Sequence, residues 1–339
     1  MGQWEYAEQI LHVDLSQQTT LALPTPLGLK RAFIGGAGFV ARLLADVGPD
    51  TAAVAMAAGP LSDEEAGRLA IGSRPAAGNT MSMTNLGGRM AAALKSAGYD
   101  AVVITGQLPN PGYLTVGPQG VQLLPADDLW GMEVPATEAI IRRRYGANHA
   151  TLVLGPAGEN LVPFATVAHE GHYAGGGNSG IGAMLGAMRL KAIVVEDRSG
   201  MTARCSDCAT CTFGCHKPAA STVDRAGALG LDAFAAGRLE LLLAHCSAAG
   251  LLPPVADPLA AIAHREGLGS LLDGGESALL GLLGQRAEEI VATLPKPRKH
   301  HGIGTADLLG TCQRGLRDRP GAVLREALSA TLALMKPSI

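Results

Sequence analysis

The sequence predicts an α+β fold, in which a strand-rich N-terminal domain precedes a mainly helical C-terminal part. Short apolar runs of strand length recur up to about residue 200, whereas apolar residues at helical spacing dominate after residue 229. A cysteine-rich stretch lies between the two regions and marks the change of character. We therefore predict two units, residues 1–200 and residues 201–339.

The N-terminal unit is predicted to contain hairpins, single strands and short helices. Apolar and polar residues alternate around polar turns at residues 9–24 and 112–124, a pattern typical of β-hairpins. An apolar helix is expected over residues 33–44 and a basic helix over residues 135–145. Single strands are predicted at residues 52–58, 101–106, 151–154 and 192–196. We find no internal repeat in the sequence.

Two glycine-rich regions interrupt these strands, and we call them the lips. The first lip, residues 79–89, and the second lip, residues 174–182, combine glycine with small polar residues. Small residues of this kind allow a polar ligand to approach the backbone closely. The second lip is expected to open a helix that ends near residue 190.

The C-terminal unit is predicted to be helical, with short Gly and Pro breaks. Apolar residues recur at helical spacing in four segments. A basic stretch, residues 295–304, precedes the last of these segments and carries His300 and His301. The helical segments are residues 229–250, 257–266, 276–293 and 320–335.

Composition limits the classes of function. The chain has 339 residues, of which 47% are apolar and only 17% charged, and it contains 45 glycines. Such a composition favours tight backbone packing or a large prosthetic group approached by main chain. A net charge of −3 does not indicate the basic surface that nucleic-acid-binding proteins use. No apolar run has the length of a membrane span and no leader is apparent, so we expect a cytoplasmic protein in a reducing compartment, with no membrane contact.

The cysteines are the strongest chemical signal. Four of the six cysteines, Cys205, Cys208, Cys211 and Cys215, fall within eleven residues. Their spacing, Cys-x2-Cys-x2-Cys-x3-Cys, is typical of 4Fe–4S ligation, because closely spaced thiolates on one loop can coordinate neighbouring iron atoms of one cluster. Zinc is the alternative metal, although zinc sites usually take a second pair of ligands from further along the chain. The spacing leaves open whether all four ligands lie here or whether one comes from a distant segment.

Taken together, the ordered motifs resemble the tungsten-containing aldehyde ferredoxin oxidoreductase family. The resemblance covers residues 9–195 and continues in pieces to Cys312. Its most specific motifs are Asn85-Leu-Gly87-Gly88 in the first lip, Gly155-Pro-Ala-Gly158-Glu-Asn160, and Gly180-Ile-Gly182 in the second lip. The family fold implied is a strand-rich pterin-binding domain followed by helical domains, here shortened.

The resemblance implies a set of ligands. A 4Fe–4S cluster is expected on Cys208, Cys211, Cys215 and Cys312, with Cys205 as the possible alternative fourth ligand. A bis-pyranopterin that holds tungsten, or molybdenum, is expected between the lips, possibly with magnesium bridging its phosphates. The pterin-binding residues implied are Arg68, Asn85, Gly87, Gly88, Gly180, Gly182, Asp232, Asp307 and Gly310.

The resemblance implies a specific role for four of these residues. Arg68 would donate to a pterin phosphate or ring oxygen, and the backbone carbonyl of Asn85 would face a bridging magnesium. Asp232 and Asp307 would accept from pterin N–H groups, one per pterin. The residues alone also allow a surface ion pair at Arg68 and a helix cap at Asp232.

The sequence departs from the family pattern in three places. Only sixteen residues separate Cys215 from Asp232, where the family carries a longer segment with an acidic residue near the metal. A second family segment, which carries a histidine near the metal, is missing between Gly274 and Asp307. Asn178 also stands where the family usually has an arginine.

The activity implied is oxidation of an aldehyde to a carboxylic acid, with electrons passed to ferredoxin or a partner iron–sulfur protein. A proton acceptor is needed beside the metal, and Glu170 and His172 are the candidates that we favour, with His169, His300 and His301 as others. Two alternatives remain open: a non-catalytic metal–pterin or electron-transfer subunit of a larger complex, and an iron–sulfur protein without pterin. The assembly expected is a homodimer or a hetero-oligomer.

Overall fold

The computed structural model describes residues 6–62, 67–76, 80–117, 119–170, 172–173, 180–200, 220–294, 309 and 322–335. Within these residues the chain has the α+β class that the sequence predicts: two β-sheets with helices, followed by a mainly helical part. No helix in these ranges has both the length and the apolar character needed to cross a membrane.

The first half of the N-terminal domain forms one mixed sheet. Its strands are β1 (Gln9–Asp14), β2 (Thr19–Pro24), β3 (Ala53–Ala58), β4 (Leu69–Arg74), β5 (Ser82–Leu86) and β6 (Ala101–Thr105). Its helices are α1 (Leu27–Phe33), α2 (Gly36–Asp46) and α3 (Met90–Ser96).

The second half forms another mixed sheet. Its strands are β7 (Gly112–Gly117), β8 (Gly120–Pro125), β9 (His149–Leu154), β10 (Val167–His169), β11 (His172–Tyr173) and β12 (Leu190–Glu196). Its helices are α4 (Val134–Tyr145), α5 (Pro156–Glu159) and α6 (Ile181–Ala187).

The two sheets have the same topology. Their strand orders are β2-β1-β6-β3-β4-β5 and β8-β7-β12-β9-β10-β11. Each sheet begins with a hairpin, pairs its first strand in parallel with its last, and pairs the remaining strands antiparallel. The N-terminal domain is therefore an internal structural repeat. The sequence does not reveal it, because the halves share strand order rather than residues: β4 has six residues and its counterpart β10 has three.

One helix of each repeat lies in the core between the two sheets. Met90 and Leu94 of α3, together with Ile181 and Leu185 of α6, pack among side chains from both sheets, such as Val54 and Ile193. The first five residues of α3 are all buried. A helix covered on every side needs apolar or small residues all round, which is why this segment lacks a polar face.

The outer faces of the sheets are covered by further helices. Phe39 and Leu44 of α2 pack on the first sheet, and Val134 and Ile141 of α4 pack on the second. The predicted hairpins and the basic helix at 135–145 are confirmed. β4, β5 and α3 were missed, since we interpreted Arg68 and the first lip only as a ligand-binding region.

The helical part has its own core. Its helices are α7 (Ala220–Leu229), α8 (Ala233–Ala248), α9 (Pro258–His264), α10 (Glu276–Leu283), α11 (Gln285–Thr293) and α12 (Ala322–Met335). Leu239, Leu242, Ile262 and Leu279 pack together and against Phe164 of the N-terminal domain. The last helix, α12, instead packs on α1 and α2 over the first sheet, so the chain returns across the boundary that we place at residue 200.

Candidate functional site

The lips occupy equivalent positions in the two repeats. The first lip contains β5 and ends at the start of α3; the second lip ends within α6, and its residues 174–179 lie outside the described residues. Gly88, two residues before α3, has φ +91°, and Gly180, the N-cap of α6, has φ +62°. Both values lie in the left-handed region, which glycine adopts without steric cost. The predicted ligand-binding glycines thus stand at the starts of the two helices that share the central core.

The first lip brings Arg68 and the Asn85–Gly88 motif to one end of the sheet. Ala70 of β4 pairs with Asn85 and Leu69 pairs with Leu86, so continuing the register sets Arg68 beside Gly87. The Ser62 hydroxyl donates to the Arg68 carbonyl at 3.4 Å. No described residue accepts a hydrogen bond from the Arg68 guanidinium, which is partly buried.

Arg89 fastens the first lip to the second repeat. Its Nε donates to the Glu170 carboxylate at 2.9 Å and 3.0 Å, and its Nη1 donates to Asp197 at 2.9 Å. Its Nη2 donates to the carbonyls of Ala147 and His149 at 2.9 Å and 2.8 Å. The guanidinium thus joins the end of β12, the start of β9 and the turn after β10 to the start of α3.

His169 makes the second connection between the lip and the other repeat. Its side chain is fully buried, its Nδ1 lies 2.7 Å from the Thr151 carbonyl, and its Nε2 accepts the Arg89 backbone N–H at 3.2 Å. A carbonyl only accepts, so Nδ1 carries the hydrogen and the ring is neutral. His169 therefore acts as a rigid spacer between β9 and the start of α3.

The charges in this cluster are mutually stabilised. Burial raises the pKa of Glu170, while the hydrogen bond from Arg89 lowers it, and the net pKa is lowered. The hydrogen bond to Glu170 is the largest reason why the pKa of Arg89 is raised. Glu170 is thus a bound anion with reduced basicity. Its predicted role as proton acceptor stays a prediction.

Several glycines of the family-like motifs serve close packing. A Cβ on Gly182 would lie 2.7 Å from the backbone of Ala165 and Thr166, and one on Gly186 would lie 1.9 Å from the Gly158 carbonyl oxygen. These positions bring α6 against α5 and the segment before β10, so the glycine at 182 is explained without a ligand. A pterin contact at Gly182 remains a prediction.

Glu159 of the Gly-Glu-Asn motif forms a buried ion pair with Lys191. The Lys191 side chain is 0% exposed and that of Glu159 is 3% exposed. Glu159 also accepts the Gly131 N–H at 2.6 Å, and Lys191 donates to the Met132 carbonyl at 2.8 Å. Burial raises the pKa of Glu159 and lowers that of Lys191. The pair ties β12 and α5 to the loop before α4.

Asp232 caps a helix, which is the alternative that its position allowed. Its carboxylate accepts the backbone N–H groups of Phe234 at 3.0 Å and Ala235 at 2.9 Å, at the start of α8. Its own N–H donates to the Phe164 carbonyl at 3.0 Å, and the residue is 3% exposed. The cap lies beside the segment that packs on α6. Contact of Asp232 with a pterin remains a prediction.

Leu309 lies in the segment of Asp307, Gly310 and Cys312, and it contacts the end of the first sheet at which the first lip lies. The Leu309 carbonyl accepts the Leu61 N–H at 2.8 Å, and the residue is 5% exposed. Its neighbours Asp307, Gly310 and Cys312 lie outside the described residues, as do Cys205, Cys208, Cys211 and Cys215, and His300 and His301. The backbone of His172 pairs with His169, but its side chain is not among those described.

Cys246 is the one cysteine within the described residues. It is buried in α8, and burial raises the pKa of its thiol, as expected for a core residue. The described residues contain no group of three metal-binding side chains.

Sequence reasoning missed the Arg89–Glu170–Asp197 cluster and the Glu159–Lys191 pair. A lysine in the apolar strand 190–195 was the available signal for the pair.

Comparison with known proteins agrees with this architecture. Residues 10–197 match the family model described as aldehyde ferredoxin oxidoreductase, N-terminal domain. The matched segment exceeds half of the chain and spans both repeats and both lips. The chain belongs to the aldehyde ferredoxin oxidoreductase family.

Individual relatives match over part of their length. The tungsten-containing aldehyde ferredoxin oxidoreductase of Pyrococcus furiosus is 40% identical over 145 residues, covering 42% of this chain and 24% of the relative. The protein of the same name from Thermococcus kodakarensis is 37% identical over 207 residues, covering 58% and 33%. The aliphatic sulfonate oxidoreductase, WOR-like subunit, of Pyrococcus furiosus is 25% identical over 217 residues, covering 57% and 35%. The chain spans about a third or less of the first two relatives.

A solved structure shares the fold over more of the chain. The active site complex BamBC of benzoyl coenzyme A reductase, in complex with 1,5 dienoyl-CoA, contains a chain that superposes with a TM-score of 0.69. The match covers 87% of this chain and 66% of that chain at 19% identity. At this identity the likeness establishes the fold alone.

Proposed function

We propose that the protein is an oxidoreductase that binds a tungsten or molybdenum bis-pyranopterin and one 4Fe–4S cluster. In this proposal it oxidises an aldehyde to a carboxylic acid and passes the electrons to ferredoxin or another iron–sulfur protein. The observation that carries the proposal is the equivalence of the two lips. A ligand made of two like halves is matched by two equivalent helices, α3 and α6, each with a left-handed glycine at or just before its start.

The described residues fit such a group. Gly88 and Gly180 hold left-handed backbone where a bulky side chain is disfavoured, so main chain can approach a large ligand. Arg68 presents a fork of N–H donors at the first lip with no acceptor among the described residues, which suits a phosphate or ring oxygen. The names of the relatives, which include tungsten-containing enzymes, agree with the metal.

The residues proposed to hold the cofactors follow from the motifs. Arg68, Gly87, Gly88, Gly180 and Gly182 would line the pterins, with the Asn85 carbonyl facing magnesium. Asp232, Asp307 and Gly310 would complete the pocket, the aspartates accepting from pterin N–H groups. The cluster would be held by Cys208, Cys211, Cys215 and Cys312.

When bound, the metal–pterin would supply the redox chemistry, and the protein supplies binding, orientation and electrostatics. Oxidation of an aldehyde with one water yields a carboxylic acid, two protons and two electrons. The protons require an acceptor from the chain, for which we retain Glu170 and His172. Because Arg89 binds the Glu170 carboxylate and lowers its pKa, the capacity of Glu170 to accept a proton is reduced.

A second candidate function is a non-catalytic metal–pterin or electron-transfer subunit of a larger complex. The chain spans only a third or less of its tungsten-enzyme relatives. Other similar proteins are a WOR-like subunit and a chain of the BamBC complex. Both facts favour a role beside another polypeptide.

Metal analysis of anaerobically purified full-length protein tests the proposal. We expect about four Fe per chain, as for one 4Fe–4S cluster, together with one tungsten or molybdenum atom. Arg68→Ala should reduce tungsten or molybdenum but leave iron unchanged, whereas Arg198→Ala, on the surface, should change neither. A chain with iron but neither heavy metal would contradict the proposal. If both metals are present, viologen reduction by aldehydes separates the enzyme from the non-catalytic subunit.

A further inference from the structure

Glu170 has a backbone conformation that glutamate rarely adopts. Its φ is +48°, in the left-handed region, which glycine, asparagine and aspartate populate more readily than other residues. It is the first of the two residues between β10 and β11, since His169 pairs with His172. A two-residue turn favours left-handed backbone, and glutamate does not supply it easily. The turn alone therefore does not explain this residue.

The contacts of Glu170 explain its presence. Its carboxylate accepts two hydrogen bonds from Arg89 Nε, at 3.0 Å and 2.9 Å, and a third from Arg89 Nη2. Its own N–H donates to the Glu138 carboxylate of α4 at 2.7 Å. The turn is therefore held by α4 through this N–H and by Arg89 through the carboxylate. Strained backbone persists where the surrounding structure over-determines it, and these two contacts do so here.

The ion pair of Arg89 and Glu170 connects the two lips. Arg89 is the last residue of the first lip and the N-cap of α3. Glu170 begins the turn after which the chain passes through β11 to the second lip at residue 174. The pair therefore joins the end of one lip to the hairpin that precedes the other, across 81 residues of sequence.

A second contact fixes the backbone of the first lip. The Nε2 atom of His169 accepts the Arg89 N–H at 3.2 Å, and the His169 side chain is 0% exposed. In a trans peptide the N–H and the C=O point in opposite directions, so the Gly88 carbonyl points away from His169. Gly88 has φ +91°, and a glycine without such a contact populates many backbone states. His169 thus selects one orientation of the peptide between Gly88 and Arg89.

The set of acceptors around Arg89 requires an arginine. They are the carboxylates of Glu170 and Asp197 and the carbonyls of Ala147 and His149. A guanidinium presents five donors in a rigid plane, whereas a lysine presents three around one point. The Arg89 side chain is 12% exposed and that of Asp197 is 3% exposed. Solvent therefore screens this cluster less than it screens a surface ion pair.

We propose that Arg89 is a positioning residue, which holds the first lip in the geometry that the metal–pterin requires before that ligand binds. The inference rests on the function proposed above. A glycine-rich loop that is mobile in the free protein loses conformational entropy when it binds a ligand, and this loss weakens binding. A loop that is already ordered avoids the loss. Arg89 and His169 provide that order, so the first lip depends on the second repeat for its binding geometry.

Hydrogen–deuterium exchange of the full-length protein tests the ordering directly. In Arg89→Gln, the peptide that covers residues 86–96 should exchange about tenfold faster than in the wild type, the factor that the loss of one hydrogen bond of ordinary strength implies. Arg89→Lys, which keeps the charge but not the planar set of donors, should lie between the two. Arg238→Gln is the matched control, since Arg238 is 18% exposed and ion-paired with Glu276 in the helical part. This variant should leave the exchange of residues 86–96 unchanged.

Metal content provides the second measurement. After anaerobic dialysis, Arg89→Gln should lose tungsten or molybdenum relative to the wild type while its iron stays unchanged. Arg238→Gln should keep both metals. If Arg89 served only the general stability of the fold, Arg89→Gln would lose iron and the heavy metal together.

Two results would overturn the role of Arg89: unchanged exchange over residues 86–96 in Arg89→Gln, or a loss of iron as large as that of the heavy metal. A wild type that lacks tungsten and molybdenum would contradict the proposed function instead. In that case the exchange rates of Arg89→Gln and Arg238→Gln still decide whether Arg89 orders the first lip.

Discussion

Gly155 and Gly230 meet backbone to backbone where the N-terminal domain joins the helical part. A Cβ on Gly155 would lie 2.6 Å from the Gly230 nitrogen, and one on Gly230 would lie 2.8 Å from the Gly155 nitrogen. Gly230 also has φ +75°. The family-like motif at residues 155–160 and the Gly-Leu-Asp stretch at 230–232 are thus two sides of one contact, continued by the bridge between Ala165 and Leu231.

This contact predicts an unusual sensitivity to a single methyl group. Gly155→Ala should lower the free energy of unfolding by about 1–3 kcal/mol, because the opposing atoms are backbone and cannot rotate away. Gly230→Ala should cost about 1 kcal/mol more, since its φ is left-handed. Urea denaturation measures both. Gly281→Ala is the control: it lies in α10 with nothing within 4 Å, and should gain about 0.5–1 kcal/mol.

The buried pair of Lys191 and Glu159 predicts a strong non-additivity. Lys191→Met leaves an unpaired carboxylate in the core and should cost about 3–5 kcal/mol at neutral pH. Adding Glu159→Gln, which can still accept the Gly131 N–H, should restore much of this loss. Urea denaturation of the two single variants and the double variant gives the coupling. Additive losses would contradict the pairing.

The same pair predicts a pH effect in the single variant. Without Lys191, the pKa of Glu159 should stand further above its ordinary value of about 4.3. A raised carboxyl pKa contributes stability below the unfolded pKa, and that stability is lost as pH rises through the folded pKa. The free energy of unfolding of Lys191→Met should therefore approach that of the wild type as pH is lowered from 7 towards about 4. Urea denaturation of both proteins at each pH measures the difference.

Glu170 predicts the opposite dependence. Its pKa is lowered in the folded protein, so its contribution to stability is present above about 4.3, the unfolded value, and is lost as pH falls through the folded pKa. Glu170→Gln should be less stable than the wild type at pH 7, and the difference should shrink in acid. Glu288→Gln, at an exposed position of α11, serves as the control and should follow the wild type throughout.

Much of the fold could be predicted from the sequence, because periodicity reports burial directly. The β1–β2 hairpin alternates and was confirmed, and the apolar run of β3 has all six residues buried. β4 escaped because Leu-Ala-Ile-Gly-Ser-Arg has no strong strand pattern. Its Gly72 is required where a Cβ would meet Val40 of α2 at 2.7 Å, a contact between distant parts of the chain that local pattern does not contain.

The candidate site could likewise be predicted from the sequence only in part. Glycines at the lips could be found from composition, since left-handed backbone and helix starts favour them. The contacts of Arg89 could not, because its partners Glu170 and Asp197 lie 81 and 108 residues away. Gly182 and Asp232 matched family motifs, yet close packing and helix capping already account for both residue types. Motif resemblance alone does not separate a ligand contact from a structural one.

The proton acceptor can be tested by comparing its two candidates. If His172 is the base, His172→Ala should lower kcat for aldehyde oxidation by about 100-fold or more. Glu170→Gln should have a smaller effect, because that carboxylate is already bound to Arg89. Metal content must be equal in the two variants and the wild type. Full activity in His172→Ala would remove His172 from the mechanism.

The fourth ligand of the proposed cluster distinguishes Cys312 from Cys205. Leu309, three residues before Cys312, is hydrogen-bonded to Leu61 beside the first lip, so a ligand from this segment would fasten the cluster next to the pterin-binding domain. Cys312→Ser should then lower iron well below four atoms per chain and change the EPR spectrum of the reduced protein, because serine is a poor ligand for this cluster. Cys205→Ser should keep the wild-type iron content and spectrum. Cys246→Ser, at a buried thiol in α8, controls for the loss of any cysteine. The reverse result, with iron lost from Cys205→Ser and retained in Cys312→Ser, would assign all four ligands to residues 205–215 and separate the cluster from the Leu61 contact.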